Sequence, residues 1–136
     1  MPQIRISDAA RFLGVSDDTV RRWVDAGQLG GAKDAPGYAA VDGLELARLA
    51  RKQAVLPADP TGIGSSARNR FVGLVTEVVT DKVMAQVGLQ GGPHRVVSLM
   101  SAEAVRALGL EPGSVATAVD KATNVIVETP HGKGSA

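Results

Sequence analysis

Cysteine is absent from the 136 residues, and aromatic side chains make up only 3% of them. Without cysteine there is no disulfide framework, no thiolate nucleophile and no thiolate-bound zinc. Histidine is nearly as scarce: His94 and His131 are too few to build a histidine metal centre. Long apolar runs are missing, and no stretch approaches the ~18 residues of a membrane span. The first residues carry Arg5, Asp8 and Arg11 without an apolar segment, so no signal peptide is expected and the chain reads as soluble and cytoplasmic. An excess of one charge is also lacking, with 15 Lys+Arg against 14 Asp+Glu. That balance is silent about nucleic acid, because clustering rather than the total sets the local field. No catalytic dyad, metal cluster or nucleotide loop is recognisable, so an enzyme is not expected.

What is present falls into two parts. Phe12, Trp23 and Tyr38 all lie in residues 1–56, which read as helical. The stretch 57–65 holds Pro57, Pro60, Gly62 and Gly64 with neither helical nor strand periodicity, and reads as a linker. From residue 66 to 130 Val, Thr and Gly dominate, and 131–136 reads as a flexible tail. Parts of only about 56 and 70 residues bury modest cores and often gain stability by association.

In the first part Ser7 is placed to cap a short helix whose buried face is Ala9, Ala10, Phe12 and Leu13. Gly14-Val15-Ser16 turns the chain, and Ser16 caps a second helix from Asp17. There Val20, Trp23 and Val24 fall at i, i+3 and i+4, which turns Thr19, Arg21 and Arg22 outward. A small hairpin with Lys33 near its tip follows, and Asp42 caps a helix from Gly43 to Gln53. Helix, glycine-containing turn and helix with exposed arginines is helix-turn-helix grammar.

Ile6 to Ser16, Thr19-Val20-Arg21-Arg22-Trp23 and Gly27 together resemble the winged helix-turn-helix domain of the MerR and excisionase-like families. The resemblance covers about residues 4–53. It implies binding to double-stranded DNA, with Thr19, Arg21 and Arg22 in the major groove behind the Ser16 cap and Lys33 on the wing near phosphates. The long dimerising helix of full MerR regulators is missing, so association must come from elsewhere.

The second part reads as five short strands: 71–79, 83–89, 95–100, 115–119 and 125–128. A short helix capped by Ser101 lies between the third and fourth. That is the order of an OB-like barrel. Phe71 alone makes no stacking platform for single-stranded nucleic acid. Two segments carry hydroxyls, a cation and turn amides: 66–71 before the first strand, and 120–124 between the last two. Such donors suit a tetrahedral oxyanion, offer nothing to a metal cation, and include no general base.

Ser66-Ala67-Arg68-Asn69 with Phe71 and Gly73, Ser101 with Glu103, Leu108-Gly109-Leu110 with Pro112-Gly113, and Lys121-Ala122-Thr123-Asn124-Val125-Ile126 resemble the molbindin (Mop) family, also called TOBE. The match runs over about residues 65–128. It implies a five-stranded barrel that binds molybdate or tungstate between protomers of a homo-oligomer. Ser66 and Arg68 of one chain, flanked by Ala67 and Asn69, would meet Ser101, Lys121, Ala122 and Thr123 of a neighbour. Ser101 stands where members commonly have Thr, and Asn124 where Ser is frequent.

A small α-rich winged helix-turn-helix followed by an OB-like barrel therefore leads to one expectation. The chain is a molybdate- or tungstate-responsive DNA-binding regulator, dimeric or larger through the barrel. Two other readings stay open: a molybdate storage or buffering protein, and an architectural DNA-binding protein whose barrel only assembles it.

Overall fold

The computed structural model describes residues 2–35 and 38–130, and between residues 32 and 39 the backbone alone. The expected tail 131–136, the Pro36-Gly37 hairpin tip and the Lys33 side chain lie outside the described residues. Two compact units divide the chain between Val55 and Leu56.

The first unit starts with β1 (Gln3–Arg5), which runs directly into α1 (Ile6–Leu13). Here the structure corrects the expected start. Arg5 stands at the helix cap without a side-chain hydrogen bond, and Ser7 lies inside the first turn. Ile6 is buried with Ala9 and Ala10, and Leu13 packs beside them. This 6-9-10-13 spacing is one helical stripe, and Phe12 falls off it with 75% of its surface exposed. Phe12 is therefore not part of the buried face. Gly14 adopts φ +67° and closes α1, with the Val15 amide donating to the Ala10 carbonyl at 2.9 Å. A Cβ is disfavoured in that left-handed conformation, which is why glycine stands at the turn.

Ser16 caps α2 (Asp17–Asp25), its Oγ accepting from the Thr19 amide at 3.2 Å. Val20 of α2 is fully buried, and Trp23 and Val24 pack at the margin of the same core. Strands β2 (Gly31–Ala35) and β3 (Tyr38–Asp42) form the hairpin, and β1 adds to β3, giving an antiparallel sheet of order β1-β3-β2. Asp42 caps α3 (Gly43–Gln53), accepting from the Glu45 amide at 3.0 Å. Leu46 and Leu49 of α3 close the core over Val20, Leu29 and Val41.

The second unit is a curled antiparallel sheet of order β6-β5-β4-β7. Its strands are β4 (Asn69–Thr80), β5 (Met84–Gly91), β6 (His94–Ser101) and β7 (Val115–Asp120). Asp81 makes the first turn, its Oδ1 accepting from the amides of Val83 and Met84 at 2.8 Å each. The twelve-residue β4 bends where its register on β5 shifts between Val75 and Glu77. Gly73 lies near that bend. A Cβ there would sit 2.7 Å from the Gln90 carbonyl oxygen, so only glycine lets the end of β5 approach so closely. Ser101 caps α4 (Ala102–Leu108) through the Ala104 amide at 3.0 Å. Val75, Ala85, Val87, Leu89 and Val105 form this unit's core.

Four strands, not five, make this sheet among the described residues. The segment 125–128, expected as the fifth, pairs with no strand. A short 3-10 helix (Ala122–Asn124) intervenes after β7. Ile126 and Val127 then run 84% and 82% exposed, because no edge of the chain's own sheet lies alongside to accept their backbone. The result is a half-barrel. Its concave side holds a cavity of about 710 Å³ walled by both edge strands, β6 and β7, with Val97, Leu99, Val115 and Val119 exposed along it.

Candidate functional site

Strand register decides which of the expected oxyanion-binding residues meet. On the β4·β7 ladder the terminal rung is Asn69 with Asp120, followed by Arg70 with Val119. Beyond that rung one strand leads back into Ser66, Ala67 and Arg68, and the other forward into Lys121, Ala122 and Thr123. The chain thus brings the two donor segments to the same end of one ladder. Ser101 is elsewhere: it pairs with Met84, whose neighbour Ala85 pairs with Thr80 at the far end of β4. By register, Ser101 and Arg68 therefore stand toward opposite ends of β4.

The donors at the shared end are open. Ser66, Arg68, Lys121, Ala122 and Thr123 are all exposed, Asn69 is half-buried, and Ala67 is buried. Arg21–Asp18, Arg70–Asp59 and Arg95–Glu77 are ion-paired, while neither Arg68 nor Lys121 pairs with a carboxylate among the described residues. The 3-10 turn is closed by the Asn124 amide on the Lys121 carbonyl at 2.9 Å. Asn124 itself bonds Asp120 through its side chain at 3.4 Å. Two cations, two hydroxyls and turn amides with one carboxylate nearby form a surface suited to an anion of fixed shape. Ser101 is exposed; its Oγ accepts from the Ala104 amide in capping α4, which leaves its O–H to donate.

On the first unit, Arg21 and Arg22 project from α2 into solvent and Thr19 is half-buried. These side chains are organised along the helix. Thr19 Oγ1 lies 3.0 Å from Ser16 Oγ and accepts from Arg22 Nη2 at 3.1 Å. Arg21 reaches Asp18 at 3.3 Å, an exposed pair that water weakens. Lys33 stands on β2 opposite Ala39 of β3, two positions before the described hairpin strand ends.

Sequence reasoning passed over Asp59, which lies in the supposed linker. Its carboxylate gathers bonds from Thr61, Arg70 and Thr117. Those bonds, led by the Thr61 amide and hydroxyl, hold it far below the usual carboxylate range. Asp81 is likewise lowered by the Met84 and Val83 amides. An Asp-x-Thr turn motif was the local signal for Asp59, while its strand partners are remote in sequence.

A helix-turn-helix unit and a curled antiparallel β-sheet unit define the class, and comparison with known proteins agrees. Residues 4–54 match a helix-turn-helix domain and residues 65–127 a TOBE domain. Molybdenum-pterin-binding protein 3 of Clostridium pasteurianum is 38% identical over 63 residues, covering 46% of this chain and 93% of the relative. A solved molybdate-binding protein from Sporomusa ovata is 31% identical, covers 49% of this chain and 100% of its own, and superposes with a TM-score of 0.48. The cytoplasmic molybdate-binding protein ModG, solved with molybdate bound, is 36% identical over 73% of this chain and 78% of its own, with a TM-score of 0.47. The chain belongs to the molbindin (Mop/TOBE) family and carries an excisionase-like helix-turn-helix domain ahead of the TOBE domain.

Proposed function

We propose that the protein is a cytoplasmic, molybdate- or tungstate-responsive DNA-binding transcriptional regulator. The observation that carries this reading is the Asn69–Asp120 rung, which gathers Ser66–Asn69 and Lys121–Thr123 beside two cations with no carboxylate partner. The names of the relatives, which speak of molybdate and molybdenum, fit that donor set. Arg68 and Lys121 supply charge, while Ser66, Thr123 and the turn amides supply direction to the oxygens of a tetrahedral dianion. Ser101 joins from a second copy.

Assembly goes through the half-barrel. Its open concave side and the exposed Val125-Ile126-Val127 segment present apolar surface and unpaired strand backbone, which a second copy of the same chain covers. An oligomer places helix-turn-helix units in pairs, and paired units read half-sites about one DNA turn apart. Arg21, Arg22 and Thr19 face the base edges, with Arg22 held in place by Thr19, and Lys33 lies toward the phosphates. Oxyanion bound between copies favours one arrangement of the pair, and so changes DNA affinity.

Calorimetric titration of the purified protein with molybdate, with sulfate as the control anion, tests the oxyanion half. The expected result is saturable molybdate binding that equal sulfate does not reproduce and that Arg68→Ala weakens about tenfold or more, the loss of a charge-assisted donor. Absence of binding at millimolar molybdate contradicts it and leaves an architectural DNA-binding protein. Molybdate binding by a protein that retains no duplex selects the storage reading.

A further inference from the structure

The stretch between the two matched domains, residues 55–64, has no assigned role. Asp59 lies within it and is fastened at several points. Its Oδ1 accepts from the Thr61 amide at 3.0 Å, from Thr61 Oγ1 at 2.8 Å and from Thr117 Oγ1 at 3.0 Å. Its Oδ2 accepts from Arg70 Nε at 3.0 Å and Nη2 at 2.8 Å. Arg70 Nη2 also donates to Thr61 Oγ1 at 3.0 Å. The Asp59 and Arg70 side chains are 31% and 26% exposed, so the pair is partly shielded from water.

Arg70 belongs to β4 and Thr117 to β7, so one carboxylate bridges both strands. These are the two strands whose ends carry the candidate oxyanion segments. Arg70 pairs with Val119, and the next rung is Asn69 with Asp120. On the other side of Asp59, residues 54–58 alone separate it from Gln53, the last residue of α3. Five residues span at most about 18 Å when extended, and Pro57 restricts them further. The tether between Gln53 and Asp59 is thus short, where composition placed a linker over residues 57–65.

We propose that Asp59 is a positioning residue that buckles the tether of the DNA-binding unit to the β4 and β7 ends carrying the oxyanion site. Movement of those strand ends on anion binding then passes into the tether instead of being absorbed by it. This rests on the regulatory reading above. Asp59 touches neither anion nor DNA, so its removal changes the coupling between them and leaves each affinity nearly intact.

The test uses the full chain and a duplex that the wild-type protein selects from a random pool. DNA affinity is measured with and without molybdate, and molybdate affinity by calorimetry. In Asp59→Ala the molybdate affinity and the anion-free DNA affinity stay within about threefold of wild type, while the molybdate-dependent ratio of DNA affinities falls toward one. The exchanged pair Asp59→Arg with Arg70→Asp restores part of the ratio; a merely structural role would instead show in the molybdate affinity and the anion-free DNA affinity, which stay unchanged. If Asp59→Ala folds poorly, Asp59→Asn keeps the size and one acceptor oxygen and shows the same loss in weaker form.

A wild-type ratio that persists unchanged in the folded Asp59 variants overturns this proposal alone. Loss of molybdate binding in Asp59→Ala also overturns it, by making Asp59 part of the site's construction and not of its coupling. A wild-type protein that binds molybdate and DNA with no ratio between them overturns the regulatory reading and this proposal together.

Discussion

Asn69 of β4 and Asp120 of β7 form the last rung of an antiparallel ladder, and the two candidate anion-binding segments leave the sheet from that rung. Arg68 stands just outside it with no carboxylate partner among the described residues, and Arg70 just inside it is bound to Asp59. Two arginines two residues apart therefore stand in different surroundings.

Substitution separates them. Arg68→Ala leaves the melting temperature of the second unit unchanged within about 1–2 °C, as surface changes usually do. Arg70→Ala lowers that temperature, because it strips two bonds from Asp59 and one from Thr61. Differential scanning calorimetry of both variants checks the contrast, and equal melting temperatures would contradict it.

Ser101 has two claims on its hydroxyl. It caps α4 through the Ala104 amide and is an expected oxyanion donor. Ser101→Ala costs about 1 kcal/mol, the usual value of a lost cap. Ser101→Thr retains the cap and therefore the stability. Urea unfolding of both variants measures the difference, and molybdate titration of the threonine variant reads the binding role with the fold held constant.

Each unit has its own core. Val20 is fully buried among Ile6, Ala9, Leu29 and Val41. Val20→Ala removes two methyl groups and destabilises the first unit by about 2–3 kcal/mol, transfer and cavity combined. Helical circular dichroism followed during unfolding reports it, with loss of DNA binding at temperatures where molybdate binding survives.

Acid weakens the second unit through Asp81 and Asp59, whose carboxylates are both held below their ordinary values. The unfolded chain takes up these protons at higher pH than the folded chain does. Their stabilisation is therefore complete above the unfolded value of about 3.9 and is lost as pH falls from there toward the folded values. Asp81→Asn removes the charge and one share of this dependence. Melting temperatures of wild type and Asp81→Asn should converge as pH is lowered from 6 to about 2.5. A constant gap would contradict the assignment.

Much of this was legible in local pattern. The Gly14 turn, the Ser16, Asp42 and Ser101 caps, and the β-branched runs that became β4 to β7 are each set by residues close in sequence. Phe12 was misjudged because the apolar stripe was counted from Ala9. Counted from Ile6, the 6-9-10-13 spacing excludes it. Val125–Glu128 has strand composition, but composition does not say whether an edge is available to pair with. Asp59 was hidden for a different reason. Prolines and glycines around it signal a loop, while the strand residues that fix it lie 11 and 58 positions away. The meeting of Ser66–Asn69 with Lys121–Thr123 likewise follows from register, which no single segment carries.

In the proposed function, oxyanion occupancy and DNA binding are linked in one molecule. The most direct measurement is the affinity of the full chain for its selected duplex, by fluorescence anisotropy, in buffer, in molybdate and in sulfate. The expected result is a change of about 5- to 150-fold in molybdate, the usual range of such coupling, with no matching change in sulfate. Equal affinities in all three solutions, from a protein shown to bind molybdate, would contradict it.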